Sequence, residues 1–159
     1  NFPTVGLFDG IMRDNMEATG LGYDKEVEMI GLAHDLDLLT TPYCFNEEEA
    51  QAMVKVGADM IVAHVGLTTG GTIGAAAAMT LDEAVDVTNR IADASRAIRD
   101  DILVICHGGP FDYPENVAAA LKKMPGVNGF YGATSMERLP VERAIKEQVE
   151  AFKAIRLST

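Results

Sequence analysis

Short apolar runs alternate with amphipathic stretches along the whole chain. The runs fall at Val5–Phe8, Leu38–Phe45, Met60–Val65, Ile102–Cys106 and Gly129–Tyr131. Apolar runs this short, bounded by glycine or polar residues, read as strands buried on both faces. The stretches between them carry helix signals. Asp24 is placed to cap a helix with Val27, Ile30 and His34 on one stripe, which makes His34 a packing residue. Asn46 with Glu49, and Thr80 with Glu83, have the spacing of a capping box. Glu47 and Glu48 suit the positive end of a helix macrodipole. Pro114 and Pro140 suit a first helical position, and Gly57 and Gly126 suit the position after a helix end. The sum is a β-α unit repeated about five times, roughly thirty residues each. Such alternation builds a parallel sheet with right-handed crossovers. Two α/β architectures fit: a doubly wound five-stranded sheet, or part of a (β/α)8 barrel that is about 250 residues when whole. The connection from Gly66 to Met79 is rich in Gly and Thr and then in Ala. A short extra helix is expected near Gly74–Met79.

Composition narrows the class. The chain has 159 residues, 48% of them hydrophobic and 23% charged, as expected for one globular domain spanning 1–159. No apolar run approaches the length of a membrane span. The formal net charge of −11 sets the surface against phosphate backbones, so nucleic acid is not an expected partner. Cys44 and Cys106 sit inside strand-like runs and read as reduced thiols of a cytoplasmic protein. The chain opens at Asn1-Phe2-Pro3 without an initiating Met and without a signal peptide, so it is expected to be a processed chain or a fragment.

Ligands of parallel α/β folds bind at the carboxyl ends of the strands. There the sequence places Asp9, Tyr43, His64, Thr68-Thr69-Gly70-Gly71-Thr72, His107-Gly108-Gly109, Ser135 and Arg138. His64 and His107 are candidate acid or base groups, and with Asp9 a candidate two-His, one-carboxylate metal site. Asp9 can equally cap a helix or turn. Glycine backbone and threonine hydroxyls at Thr69, Gly70, Gly71 and Thr72 suggest donors converging on a phosphate, phosphonate or carboxylate. The bland alternative is a loop that needs glycine for its turns. Gly108 and Gly109 form a second candidate donor turn, or only a turn. Arg138 suits a substrate anion, or a surface ion pair. Cys106 is no partner for His107, because neighbouring strand residues face opposite sides.

Three long strings carry a resemblance: His64-Val65-Gly66-Leu67-Thr68-Thr69-Gly70-Gly71-Thr72-Ile73-Gly74, Cys106-His107-Gly108-Gly109-Pro110, and Gly129 through Pro140. Thr4–Gly10 and Leu38–Tyr43 join them. Together they resemble the phosphoenolpyruvate hydrolase-like family, also described as phosphonopyruvate hydrolase-like. The resemblance implies a TIM barrel, of which this chain is the C-terminal part covering about the last five β/α units. It implies relatives in the phosphoenolpyruvate mutase and isocitrate lyase group, which use Mg²⁺ and enolate chemistry. It also implies an arrangement in which the domain is fused behind an ATP-binding domain of a plant virus-resistance type.

The expected function is hydrolysis or lysis of a small phosphorylated or phosphonylated oxoacid. Thr69–Thr72 would hold the phosphoryl oxygens, and Mg²⁺ or another divalent metal on Asp9 would act as Lewis acid. His107 or His64 would move the proton, and Arg138 or Ser135 would fix the carboxylate. The alternative is a non-catalytic barrel that binds a metabolite and regulates a fused or partner ATP-binding domain. An open sheet edge leads to the further expectation of a homo-oligomer.

Overall fold

The computed structural model describes residues 5–76 and 78–156. Four parallel strands form one sheet in the order β1 (Tyr43–Cys44), β2 (Met60–His64), β3 (Leu103–His107), β4 (Gly129–Phe130). Six helices accompany them: α1 (Gly10–Ala18), α2 (Tyr23–Asp35), α3 (Glu47–Lys55), α4 (Leu81–Arg96), α5 (Pro114–Leu121) and α6 (Thr134–Lys153). Spatial order follows chain order with no reversal, so each crossover steps to the next strand along.

The register divides the sheet into two unlike faces. Cys44, Ala63, Cys106 and Phe130 align across the four strands. They face the helices. Ile61, Ala63 and Val104 pack with Tyr23 and Ile30 of α2, Ala50, Met53 and Val54 of α3, and Ile91 and Ala92 of α4. Cys106 packs with Ala84 and Val85 of α4 and Val117 and Ala120 of α5. The opposite face carries Tyr43, Val62, His64, Leu103, Ile105 and His107. Neither packed cluster includes any of them, and Leu103 is 44% exposed. The helices of both clusters lie on one face, yet Val62, His64 and His107 on the other are also buried, so the expectation of strands buried on both faces holds there and fails at the exposed Leu103.

Local signals explain most helix starts. Thr80 and Glu83 form the full capping box of α4. Asn46 caps α3 through Glu49 N–H, but the Glu49 carboxylate returns to the Phe45 amide, one residue early. Pro114 opens α5. Gly57 follows α3 at φ +96, a conformation that favours glycine. Five expectations fail. Gly126 lies four residues beyond Lys122, the cap of α5, rather than next to it. α2 is capped by Gly22, not Asp24. Pro140 lies inside α6, which starts six residues earlier than the proline suggests. His34 is exposed rather than packed. Residues 74–76 and 78–79 are not helical; Ala77 lies outside the described residues.

The largest correction concerns Val5–Phe8. Val5–Leu7 is a single 3-10 turn, and there are four strands among the described residues rather than five. The Val5 amide is taken by the buried Glu26 carboxylate at 2.9 Å, so it has no ladder to join. The run Leu38–Phe45 likewise narrows. Met60 and Val62 donate to Thr40 and Pro42, while Leu38 and Leu39 stay exposed. Among the described residues no helix is long and apolar enough to cross a membrane.

Candidate functional site

Parallel pairing puts His64 directly beside His107 at the carboxyl ends of β2 and β3. The two rings meet edge to face, with centroids 4.8 Å apart. Tyr43 stacks on His107 at 5.0 Å and lies 4.9 Å from His64. Phe45 closes on the far side of His64 at 4.7 Å, and Tyr131 flanks His107 at 5.6 Å. Both histidines are buried, at 5% and 7% exposure.

Their hydrogen bonds assign opposite tautomers. His64 Nδ1 accepts the Gly66 N–H at 3.1 Å. Its hydrogen therefore resides on Nε2, which is a donor. His107 Nδ1 lies 2.6 Å from the Tyr131 carbonyl oxygen, which only accepts. Nδ1 therefore carries the hydrogen, and Nε2 of the neutral ring keeps a lone pair. Burial, with the neighbouring His107 second, pushes the His64 pKa down to about 3. Burial also lowers that of His107, against the opposing pull of the Tyr131 carbonyl. Both rings are neutral at pH 7: one offers a proton donor and the other a base.

The glycine loops behind the pair are zipped together. Gly109 donates to Gly66 O at 2.8 Å, and Thr69 N–H donates to Gly109 O at 3.1 Å. Gly108 sits at φ +81, where an added Cβ would strike Gly66 O and come within 3.2 Å of the His64 ring. Thr69 Oγ1 donates to the buried Asp112 carboxylate at 2.9 Å. Asp112 in turn accepts from Tyr113 N–H and Asn116.

The expected anion loop is therefore largely spent on internal bonds. The Thr69 amide and hydroxyl, and the Gly109 amide, serve loop pairing. The Thr72 amide does hold an anion, but that anion is the protein's own Glu142, at 2.9 Å. Arg138 completes the arrangement, donating to Glu142 at 2.7 Å and to Gly70 O at 3.1 Å. Both contacts to Glu142 hold its carboxyl below the usual range, Arg138 first. The amides of Gly70 and Gly71 have no partner among the described residues.

The metal expectation does not fit. Asp9 is exposed ahead of α1, and among the described residues no three His, Cys, Asp or Glu side chains form a metal-binding group. Among the described residues no carboxylate joins the imidazoles to suit an oxygen-seeking ion such as Mg²⁺. Ser135 lines an apolar cavity of about 310 Å³ between α5 and α6, with Asp112, Tyr113, Phe130 and Met136. The cysteines are buried, with pKa values pushed up to about 12 for Cys44 and about 11 for Cys106, so neither is a ready thiolate. Sequence reasoning missed Asp112, Glu142 and the role of the Tyr131 carbonyl. Only Asp112 had a local signal, two residues before Pro114 and beside the glycine turn.

A helix-backed parallel sheet with polar groups gathered at its strand ends places the chain in the class of α/β domains whose ligand sites lie on that rim. The chain belongs to the phosphoenolpyruvate hydrolase-like family, whose profile matches residues 1–155. It is 59% identical over 155 residues to two tomato (Solanum lycopersicum) proteins, the ToMV susceptible protein tm-1(GCR26) and the ToMV resistance protein Tm-1(GCR237). Each match covers 98% of this chain and 21% of the tomato protein. The chain thus spans about a fifth of the length of these relatives. It is also 32% identical over 157 residues to y4pA of Sinorhizobium fredii (strain NBRC 101917 / NGR234), whose name marks it provisionally as a transcriptional regulatory protein. That match covers 98% of this chain and 25% of y4pA. Among solved structures, a nitroalkane oxidase from Streptomyces ansochromogenes aligns with a TM-score of 0.44 and 23% identity. It covers 69% of this chain and 31% of the oxidase, too slight a likeness to carry a conclusion about chemistry.

Proposed function

We propose that the rim of this sheet is the proton-transfer site of an enzyme acting on a small phosphorylated or phosphonylated oxoacid. The observation that carries the reading is the pair of buried, neutral imidazoles in opposite tautomers. His107 Nε2 takes a proton from an attacking water or an acidic carbon, and Nδ1–H stays on the Tyr131 carbonyl to stabilise the imidazolium. His64 Nε2–H donates to the oxygen on which negative charge develops, without itself ionising. Tyr43 and Phe45 pack against the rings and keep their orientation. Arg138 and the Thr72 amide supply the anion clamp, since they already hold a carboxylate. No step is assigned to a metal, because the donor set does not suit one.

We further propose that the sheet is an arc of a (β/α)8 barrel. A strand order without reversal and helices on one face support this reading. A doubly wound sheet reverses direction and carries helices on both faces. The face that carries the imidazoles would then be the barrel interior, closed by further strands.

The test is turnover of phosphoenolpyruvate and phosphonopyruvate by the full-length protein beside its His107→Gln variant. Loss of a single base is expected to lower kcat by about 10²- to 10⁴-fold. Equal rates in the two proteins would remove His107 from the chemistry. A second reading is that the rim binds a metabolite without turnover and regulates a fused or partner ATP-binding domain. The engagement of the Thr69 and Thr72 amides by the protein's own acceptors favours it. Ligand binding with no product from either substrate would select it.

A further inference from the structure

The Glu142 carboxylate is gripped from two sides. One of its oxygens accepts from the Arg138 guanidinium at 2.7 Å, and the other accepts from the Thr72 amide at 2.9 Å. Arg138 is fixed in place by the Gly70 carbonyl at 3.1 Å. Gly70 and Gly71 stand at φ +73 and +72, and a Cβ on Gly71 would strike both Arg138 and Glu142. This is a close-fitted receptor for two anionic oxygens, built from a glycine loop and an arginine 68 positions away in the chain.

The element that carries Glu142 is loosely held. Leu139 is the one buried residue of α6 among those described. Polar attachments include Arg138, Glu142 and the stacking of Arg143 over the Tyr113 ring at 4.6 Å. Beyond them Val141, Ile145, Val149 and Phe152 are all more than half exposed. The receptor also adjoins the imidazole pair. Gly70 follows Thr69, which bonds the Gly109 carbonyl, and Gly108 abuts the His64 ring.

We propose that Arg138 and the Gly70–Thr72 amides form an anion subsite, and that Glu142 occupies it as an internal competitor until a carboxylate or phosphoryl group of the ligand displaces it. Arg138 exchanges one bidentate-capable anion for another, and the Gly70 and Gly71 amides, without partners among the described residues, add donors that Glu142 does not use. Displacement frees Glu142 to solvent and loosens the start of α6. The class of ligand rests on the proposed function; the competition itself rests only on this geometry.

The experiment is calorimetric titration of the full-length protein with oxalate and with inorganic phosphate. Wild type is compared with Glu142→Gln, Glu142→Ala and Arg138→Gln. Removing a tethered competitor raises the fraction of open receptor, so both Glu142 variants should bind at least one probe about tenfold more tightly. Arg138→Gln should lose measurable binding. Tighter binding of oxalate than of phosphate assigns the subsite to a carboxylate, and the reverse assigns it to a phosphoryl group. Hydrogen exchange of amides 138–146 in wild type should quicken when the preferred probe is added. Unchanged or weaker affinity in both Glu142 variants overturns the proposal, as does absence of heat in every protein. If His107→Gln keeps full turnover while Glu142→Gln still binds more tightly, the catalytic reading fails and the subsite stands. The opposite pair of results leaves catalysis standing and removes the competitor.

Discussion

His64 shows how burial converts an ordinary side chain into a specified one. In an unfolded chain its imidazole titrates near 6.5; in the fold it is held to about 3. Its neutral ring is part of what is stabilised by folding. The folded-state pKa is depressed, so the unfolded chain takes up the proton first as pH falls. The stabilisation is complete above pH 6.5 and is lost as pH drops toward 3. The loss amounts to roughly 1.4 kcal/mol per pH unit for this group. His107 is shifted in the same direction. Glu26 opposes both: burial raises its carboxyl pKa, so its ionised form disfavours the fold as pH rises. Urea unfolding at pH 7.5 and pH 5.0 should therefore show wild type weaker at the lower pH, and His64→Gln should show a smaller difference. An equal difference in the two proteins would mean that His64 is solvated.

Elements separate what neighbouring residues decide from what distant residues decide. The box at Thr80 and Glu83 was legible because both halves of the interaction lie within one turn. Thr80→Ala should cost about 1 kcal/mol. Asp24→Ala should change stability by less than about 0.5 kcal/mol, because Gly22 rather than Asp24 caps α2. Thermal unfolding of the two variants checks the contrast. The strand-end histidines were legible for a similar reason, since an apolar run marks where a strand ends and parallel pairing brings neighbouring ends together. Val5–Phe8 was not, because its amide is claimed by Glu26, 21 residues away. The Gly70–Thr72 loop was legible as a set of donors but not as a set already in use. Its acceptor, Glu142, lies 70 residues further along the chain, on a helix whose start Pro140 appeared to mark and does not.

At the scale of the whole molecule the two sheet faces demand different partners. One is sealed by α2 to α5. The other carries Leu103, Ile105 and Val62 below the imidazoles, outside both clusters, with Val62 buried, Ile105 half-buried and Leu103 exposed. A surface leucine changed to glutamate ordinarily alters stability by no more than about 0.5 kcal/mol. The interior of a closed barrel is instead filled by layers of side chains, and an unpaired carboxylate there loses its water. Leu103, at 44% exposure, discriminates between the two cases because it remains partly open in the chain described. In the full-length protein Leu103→Glu should cost at least about 2 kcal/mol by urea unfolding, if further strands close over this face. A change within about 0.5 kcal/mol would mean that the face meets solvent. The imidazole pair would then stand on an open sheet, and the barrel reading would fail even if the rim still bound its anion.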